Sequence, residues 1–186
     1  MQNPFLIGTR VYLRPLGLED AAPLTTWLND QEVIRHLRAH HPPLTLLAEE
    51  SFLRKLGESD SDVVLGIVAR ETDQLLGGTG LHQIDFRNRH VQFGIFLGDK
   101  SAWGKGYGTQ ATRLIVRHAF DTLNMHRVGL RVYEDNHRAQ HVYEKVGFRI
   151  EGRLRQDMFR DGRYWDTIVM AVLRDEWEAR PHEEGG

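Results

Sequence analysis

Residues 91–111 read Val91-Gln92-Phe93-Gly94-Ile95-Phe96-Leu97-Gly98-Asp99-Lys100-Ser101-Ala102-Trp103-Gly104-Lys105-Gly106-Tyr107-Gly108-Thr109-Gln110-Ala111. A strand-type run leads into a turn with glycine at alternate positions. A helical pattern carrying Ala111, Leu114, Ile115, Phe120 and Leu123 follows. Gly104, Gly106 and Gly108 therefore stand where backbone N–H groups and the positive end of a helix dipole converge on an anion. Without Cβ atoms there, a bulky pyrophosphate can approach the backbone, and Lys105 adds positive charge at the rim. The same residues also read as a plain flexible turn. The P-loop pattern G-x-x-x-x-G-K-[ST] is absent, but Gly106-Tyr107-Gly108-Thr109-Gln110-Ala111 satisfies the relaxed dinucleotide fingerprint G-x-G-x-x-A. Context opposes that second reading. The feeding strand belongs to a meander rather than to an opening βαβ unit, and the next acidic candidate, Glu134, lies beyond the usual ~20 residues.

Upstream, the strand-type runs Val63–Ala69, Leu75–Ile84 and Val91–Leu97 are separated by Thr72-Asp73-Gln74 and Arg87-Asn88-Arg89, which predicts an antiparallel meander. Thr9–Pro15 alternates polar and apolar residues and reads as a half-buried strand. Helical patterns follow around Ala22, Leu24, Trp27 and Leu28, over about Asp30 to Leu37, and from Thr45 to Leu56 after the Pro42-Pro43 break. Downstream come a strand over Arg127–Val132 and a helix over about Asn136–Lys145. Ala139, Val142, Tyr143 and Val146 share one face of that helix, and Gly147 stops it. Phe148–Phe159 and Tyr164–Leu173 flank Asp161-Gly162, a hairpin signal. There is no internal repeat. Residues 1–178 read as one α/β (α+β) domain and 179–186 as a disordered tail.

Composition excludes several function classes. The 186 residues are 40% apolar, enough for one core. The 24 Lys+Arg against 26 Asp+Glu leave a formal charge of −2, with no excess field for a nucleic acid or an anionic membrane. No apolar run approaches the ~20 residues that span a bilayer. The opening Met1-Gln2-Asn3-Pro4-Phe5-Leu6-Ile7-Gly8 lacks a basic leader and a hydrophobic signal segment, so cytoplasmic residence is expected. With no cysteine, thiol nucleophiles, disulfides and Cys-based zinc sites are excluded. His137 and His141 have helical i, i+4 spacing but no Glu in the H-E-x-x-H position and no evident third ligand, so they read as surface histidines and no metal is expected. His36, His40 and His41, before the two prolines, read as a loop beside a binding cleft.

The glycine turn, followed by Asn136-x-x-Ala139-x-x-x-Tyr143-x-x-x-Gly147-Phe148, resembles the GCN5-related N-acetyltransferases (GNAT). The layout is similar to their ribosomal-protein alanine and serine acetyltransferase branch. The order of elements matches from about Arg10 to Trp177, with the specific residues between Val91 and Phe148. The resemblance implies a mixed, largely antiparallel, splayed sheet of six to seven strands flanked by about four helices, with acetyl-CoA between the strands Val91–Leu97 and Arg127–Val132. It implies that backbone groups of Ile95, Phe96 and Leu97 pair with pantetheine and that Asn136 bonds the pantetheine arm. The turn of Trp103, Gly104, Lys105, Gly106, Tyr107, Gly108 and Thr109 would hold the pyrophosphate, and Tyr143 matches the general acid. Alone, Tyr143 reads as a core aromatic; together with Asn136 and the glycine turn it reads as the acid.

The chemistry suits these types. An amine attacks a thioester carbonyl, charge builds on the carbonyl oxygen, and sulfur leaves more easily when a proton reaches it. A tyrosine of ordinary pKa ~10 can supply that proton to a thiolate of pKa ~8.5. The base is not legible: Gln92 stands at or near the place where related enzymes often carry glutamate. His82, Asp85, His90 and Glu134 are candidates, none assigned. The expected activity is direct acetyl transfer from acetyl-CoA, in a ternary complex, to a primary amine of a protein N-terminus or of a small molecule such as a polyamine. The alternatives are a non-catalytic acyl-CoA-binding module and a dinucleotide-binding domain. Acceptor contacts are expected from the front helices and from Tyr164-Trp165-Asp166. Glu19-Asp20, Asp30/Glu32 and Glu49-Glu50 could attract a cation, although helix-terminal and solvated charges are their commoner use. The chain is expected as a monomer or as a homodimer paired through its exposed closing strand.

Overall fold

The computed structural model describes residues 1–37, 43–56 and 58–180. Its strands are β1 (Leu6–Ile7), β2 (Val11–Pro15), β3 (Val63–Ala69), β4 (Leu75–Asp85), β5 (His90–Leu97), β6 (Arg127–Tyr133), β7 (Arg149–Arg160) and β8 (Arg163–Leu173). The helices are α1 (Ala21–Leu28), α2 (Gln31–Ile34), α3 (Leu46–Leu56), α4 (Tyr107–Asp121), α5 (His137–Val146) and α6 (Arg174–Glu178). All strands join one sheet in the order β1-β2-β3-β4-β5-β6-β8-β7.

Turn chemistry sets the antiparallel pairs. Asp161 and Gly162 both take positive φ (53° and 75°), the twist that a two-residue link between strands requires, and β7 and β8 close around them. Asp85 receives the backbone N–H and side-chain amide of Asn88, each at 2.8 Å, and turns β4 into β5. Only β5 and β6 run parallel, and they pair over just His90↔Arg127, Val91↔Val128 and Gln92↔Gly129. Beyond Gln92, β5 stays in register with β4 as far as Leu97 while β6 stays with β8 as far as Tyr133. Each strand is held by its outer neighbour, so the sheet opens between them.

The sheet separates two apolar layers. Val11, Leu13, Ile67, Val91 and Phe93 pack toward α4 and α5 with Ile115, Phe120 and Val146; Tyr12, Val68 and Leu75 pack toward α1 and α3 with Leu24 and Leu53. Full burial of a side chain such as Ile115 or Phe120 contributes about 1.5–3 kcal/mol. β2 is therefore buried on both faces rather than half-buried: Val11, Tyr12 and Leu13 are all 0% exposed. The Arg14 guanidinium at its end is held at 2.7 and 2.8 Å by the carboxylate of Asp20, just before α1.

Several expectations are corrected. Among the described residues the sheet has eight strands, against the six to seven expected, and six helices, against about four. Leu6–Ile7 adds a short strand by pairing with Leu13 and Tyr12. The Asp30–Leu37 helix is a short one capped by the Asp30 side chain, and α6 follows β8 directly. The closing strand is not an edge, because β8 inserts between β6 and β7; the edges of the sheet are β1 and β7. The backbone N–H groups of Ala179 and Arg180 donate to the carbonyls of Asp175 and Trp177; 181–186 lie outside the described residues. Among the described residues no helix is long and apolar enough to cross a membrane.

Candidate active site

The opening between β5 and β6 is a cleft of about 930 Å³. Its walls are Gln92 to Leu97 of β5, Arg131 and Val132 of β6, the start of α5 from Asn136, and Val33 with His36 from the α2 segment. Past Gln92, the β6-facing edge of β5 has no strand partner. Such an edge accepts an extended chain that carries amide groups, by the same hydrogen bonding that joins strands.

At one end stands the N-terminus of α4. Gly104 and Gly106 take φ of +75° and +83°, a conformation that costs other residues strain. The first intrahelical bond runs from the Gln110 N–H to the Gly106 carbonyl, and no side chain caps the turn. The N–H groups of Tyr107, Gly108 and Thr109 thus have no partner within the helix, as at any uncapped N-terminus. Gln110 fixes this end to the sheet: its Oε1 accepts the N–H groups of Arg10 at 2.7 Å and Val11 at 2.8 Å, and its Nε2 donates to the Thr9 hydroxyl at 2.6 Å. The same tie brings Arg10 to the turn, with its guanidinium 5.1 Å from the Tyr107 ring centre and beside Gly106. Arg10 is the cation that sequence reasoning missed, since its only signal, nearness to position 106, depends on tertiary contact.

The structure brings Ile95, Phe96, Leu97, Trp103, Gly108, Asn136 and Tyr143 to the cleft wall. Gly104, Lys105, Gly106, Tyr107 and Thr109 do not line it; they form the turn outside its mouth. Four of the lining residues have structural contacts as well. The Leu97 carbonyl accepts the Trp103 indole N–H at 2.9 Å, and the Arg138 guanidinium lies 5.0 Å from the Trp103 ring centre. Asn136 caps α5 through Oδ1, which accepts the Ala139 N–H at 3.2 Å, leaving the amide Nδ2 for another partner.

Tyr143 is 8% exposed and packs edge-on against Phe93 and Phe148, each at 5.9 Å between ring centres. Burial pushes its hydroxyl pKa up to about 12, so the group is protonated across the whole neutral range. It approaches the cleft from the α4/α5 face of the sheet. Gln92, which precedes Phe93 and points the other way, lies against Gly129, where a Cβ would sit 3.1 Å from its amide nitrogen.

The four candidate bases now separate. Glu134 accepts the Asp166 N–H at 2.9 Å and pairs with Arg153 at 3.2 Å; Asp85 and His90 face each other at the β4–β5 turn, 3.5 Å apart. Of the four, only His82 lines the cleft. The Tyr164-Trp165-Asp166 expectation is corrected, because these residues do not line it. Tyr164 pairs with Phe159 across the hairpin, Asp166 with Arg153, and Trp165 lies under the guanidinium of Arg163, 3.5 Å from its ring centre. From the front helices, Glu32, Val33, Arg35, His36 and Leu37 do reach the cleft. His36 meets Asp135 at 3.3 Å, and Asp135 is also paired with the buried Arg160. His40 and His41 lie outside the described residues. Three of the proposed acidic attractors are already partnered: Lys100 holds Asp30 and Glu32 at 2.7 and 2.6 Å, and Arg14 holds Asp20; Glu49 is buried on α3. Among the described residues no group of His, Asp and Glu is arranged to hold a metal ion.

Residues 10–149 match the family model described as an acetyltransferase (GNAT) domain. An uncharacterized N-acetyltransferase p20 of Bacillus licheniformis is 28% identical over 179 residues, covering 92% of this chain and 97% of that protein. A spermidine N(1)-acetyltransferase of Escherichia coli (strain K12) is 29% identical over 175 residues, covering 94% and 92%. The solved structure of a spermidine N-acetyltransferase from Vibrio cholerae in complex with CoA and spermine superimposes with a TM-score of 0.85 at 24% identity, covering 92% of this chain and 99% of that one.

Proposed function

The chain belongs to the GNAT acetyltransferase family and is an acetyl-CoA-dependent N-acetyltransferase, and we propose that it acetylates a primary amine of a small, polyamine-like acceptor by direct transfer in a ternary complex. The observation that carries this reading is the cleft itself. An unpaired strand edge, an uncapped helix N-terminus and a buried, protonated tyrosine are arranged along one opening. These features fit the parts of an acyl-CoA in turn: amide-bearing pantetheine, pyrophosphate and departing sulfur.

In this reading the N–H groups at the start of α4, with Arg10 and Lys105 near them, bind the pyrophosphate. The free edge of β5 at Ile95, Phe96 and Leu97, with the Asn136 amide, orients the pantetheine. The Tyr143 O–H donates its proton to the sulfur as the thioester opens. No cysteine exists to carry an acetyl group on the enzyme, which favours attack by the acceptor amine itself. Kinship with spermidine acetyltransferases makes polyamines the first acceptors to test.

The test is release of thiol from acetyl-CoA, followed with a thiol reagent, across polyamines, N-terminal peptides and aminoglycosides. The cysteine-free protein gives no background. Acceptor-dependent release with polyamines is expected. Release with peptides alone would replace the small-amine acceptor by a protein N-terminus. Tight acetyl-CoA binding without turnover on any amine would overturn the transferase reading in favour of a binding module.

A further inference from the structure

On the face of the sheet opposite Tyr143, β4 and β5 present His82 and Gln92 as directly opposed partners, level with the last pair that joins β5 to β6. His82 therefore stands where the cleft begins to open. A built arrangement holds its ring. Nδ1 lies 3.0 Å from Asp62 Oδ1, and Asp62 Oδ2 also accepts the hydroxyls of Ser59 at 3.0 Å and Ser61 at 3.1 Å. Burial works against the charge, yet the hydrogen bonds from Ser59, His82, Ser61 and the Gln83 N–H hold the Asp62 carboxyl below the usual range. An ionised carboxylate only accepts, so Nδ1 carries the proton and Nε2 keeps its lone pair.

Two backbone features aim that lone pair. The strand bulges just after His82, where Gln83 takes φ +53° and the pairing register shifts before Asp85. The imidazole then lies flat over glycines: a Cβ on Gly80 would sit 2.7 Å from Nε2, and one on Gly94 would sit 3.6 Å away. Any other residue at position 80 would push the ring aside. Nε2 has no hydrogen-bond partner among the described residues.

We propose that His82, positioned by Asp62, is the general base that takes the proton from the acceptor amine. This assignment rests on the acetyl-transfer reading and adds the group that Gln92 cannot supply. As the amine nitrogen bonds to the acetyl carbon, its N–H bond breaks and the proton passes to His82 Nε2. The C–S bond then breaks, and sulfur leaves with a proton from the opposite face. The base and Tyr143 flank β5 at Gln92 and Phe93, consecutive residues whose side chains point to opposite faces, so one proton is taken and one delivered without the two groups meeting. Other charged and titratable groups share the cleft with His82. Asp62, on the segment before β3, touches it; Glu32, Arg35 and His36 of the α2 segment, Arg131 of β6, Asp135, and His137, Arg138 and Tyr143 of α5 line the same cleft; and the Asp85–His90 pair closes the turn beyond.

The experiment is the pH dependence of turnover for wild type, His82→Gln, His82→Asn and Asp62→Asn, with the best acceptor from the thiol-release panel. His82→Asn keeps an N–H donor toward Asp62 and so guards against loss of folding. Wild-type kcat is expected to show an acid limb that depends on His82. Both His82 variants should lose that limb and about 10²–10⁴-fold of kcat at pH 7, with KM for acetyl-CoA unchanged because His82 faces away from the proposed donor side. Asp62→Asn should lower kcat when His82 is present and add little to the loss in His82→Gln, since it acts only through the imidazole. His82→Ala should regain turnover with added imidazole, for which the glycine floor leaves room. Retention of the wild-type rate and limb by the His82 variants would overturn the assignment alone. Absence of amine-dependent thiol release in wild type would overturn the transferase reading and the assignment with it.

Discussion

Replacing Tyr143 by Phe removes one oxygen from a buried ring, and the structure separates its two consequences. The ring keeps its edge-on contacts with Phe93 and Phe148, and no described residue hydrogen-bonds the hydroxyl. Stability near neutral pH should therefore hold, because Tyr143 lines the cleft and its hydroxyl gives up no bond to a described residue. Turnover should fall by about 10²–10⁴-fold, or about 2.7–5.4 kcal/mol of barrier, the usual contribution of a positioned proton donor. The pH dependence of stability adds a second signature. With the folded pKa raised from 10.0 to about 12, the unfolded chain loses its proton first on raising pH. The native state then binds more protons, so stability from this group is complete below pH 10 and declines by about 2–3 kcal/mol by about pH 12. Thiol release at saturating acceptor, and urea unfolding at pH 8 and pH 11, read both effects. The variant should be slow, folded at pH 8 and less alkali-sensitive than wild type. Turnover within twofold of wild type would refute the acid role; slow turnover with a lowered unfolding midpoint at pH 8 would make Tyr143 a packing residue.

Three further outcomes test the scaffold around the site. Gly106→Ala places a Cβ at φ +83° and 3.1 Å from the Arg10 guanidinium; KM for acetyl-CoA should rise about ten- to hundredfold with kcat little changed, as for one lost hydrogen bond to a charged group. Gln110→Ala strips the acceptor from the Arg10 and Val11 N–H groups and should cost about 1–3 kcal/mol for each in urea unfolding. Asp20→Ala leaves the Arg14 guanidinium buried without its carboxylate and should destabilise the chain by about 3–5 kcal/mol in thermal or urea unfolding.

The local signals of the chain were legible wherever a residue's conformation depends on its near neighbours. Val63–Ala69 is a short, unbroken apolar run rich in β-branched residues, and β3 has those bounds. Gly147, at φ +120°, ends α5 where a left-handed stop was expected, and Asp161-Gly162 closes the last hairpin. The Gly104–Gly108 turn needed only its own glycines and the helix after it to read as an anion cradle. The front section was less legible. Gln31–Ile34 is short, and its helical pattern extends past what its single Asp30 cap and local contacts sustain. Thr9–Pro15 reads as an alternating, half-solvated strand, yet helices cover both faces at Val11, Tyr12 and Leu13, a fact of packing that the pattern of β2 does not record.

The amino-acid order by itself determined most element types, the absence of thiol chemistry, the glycine turn that opens α4 and the spacing of Asn136, the cap of α5, from Tyr143 within it. Each of these rests on spacing within a few residues or on composition. Tertiary structure alone decided where the sheet opens, because that follows from β8 inserting beside β6 and from the short β5–β6 register. It alone brought Arg10 to Gly106 and Asp62 to His82, and it removed Glu134 and Asp85 from the cleft by giving them other partners. These contacts join residues that lie up to about a hundred positions apart, and no local preference encodes such meetings; the closing of the sheet and the packing of its two faces do.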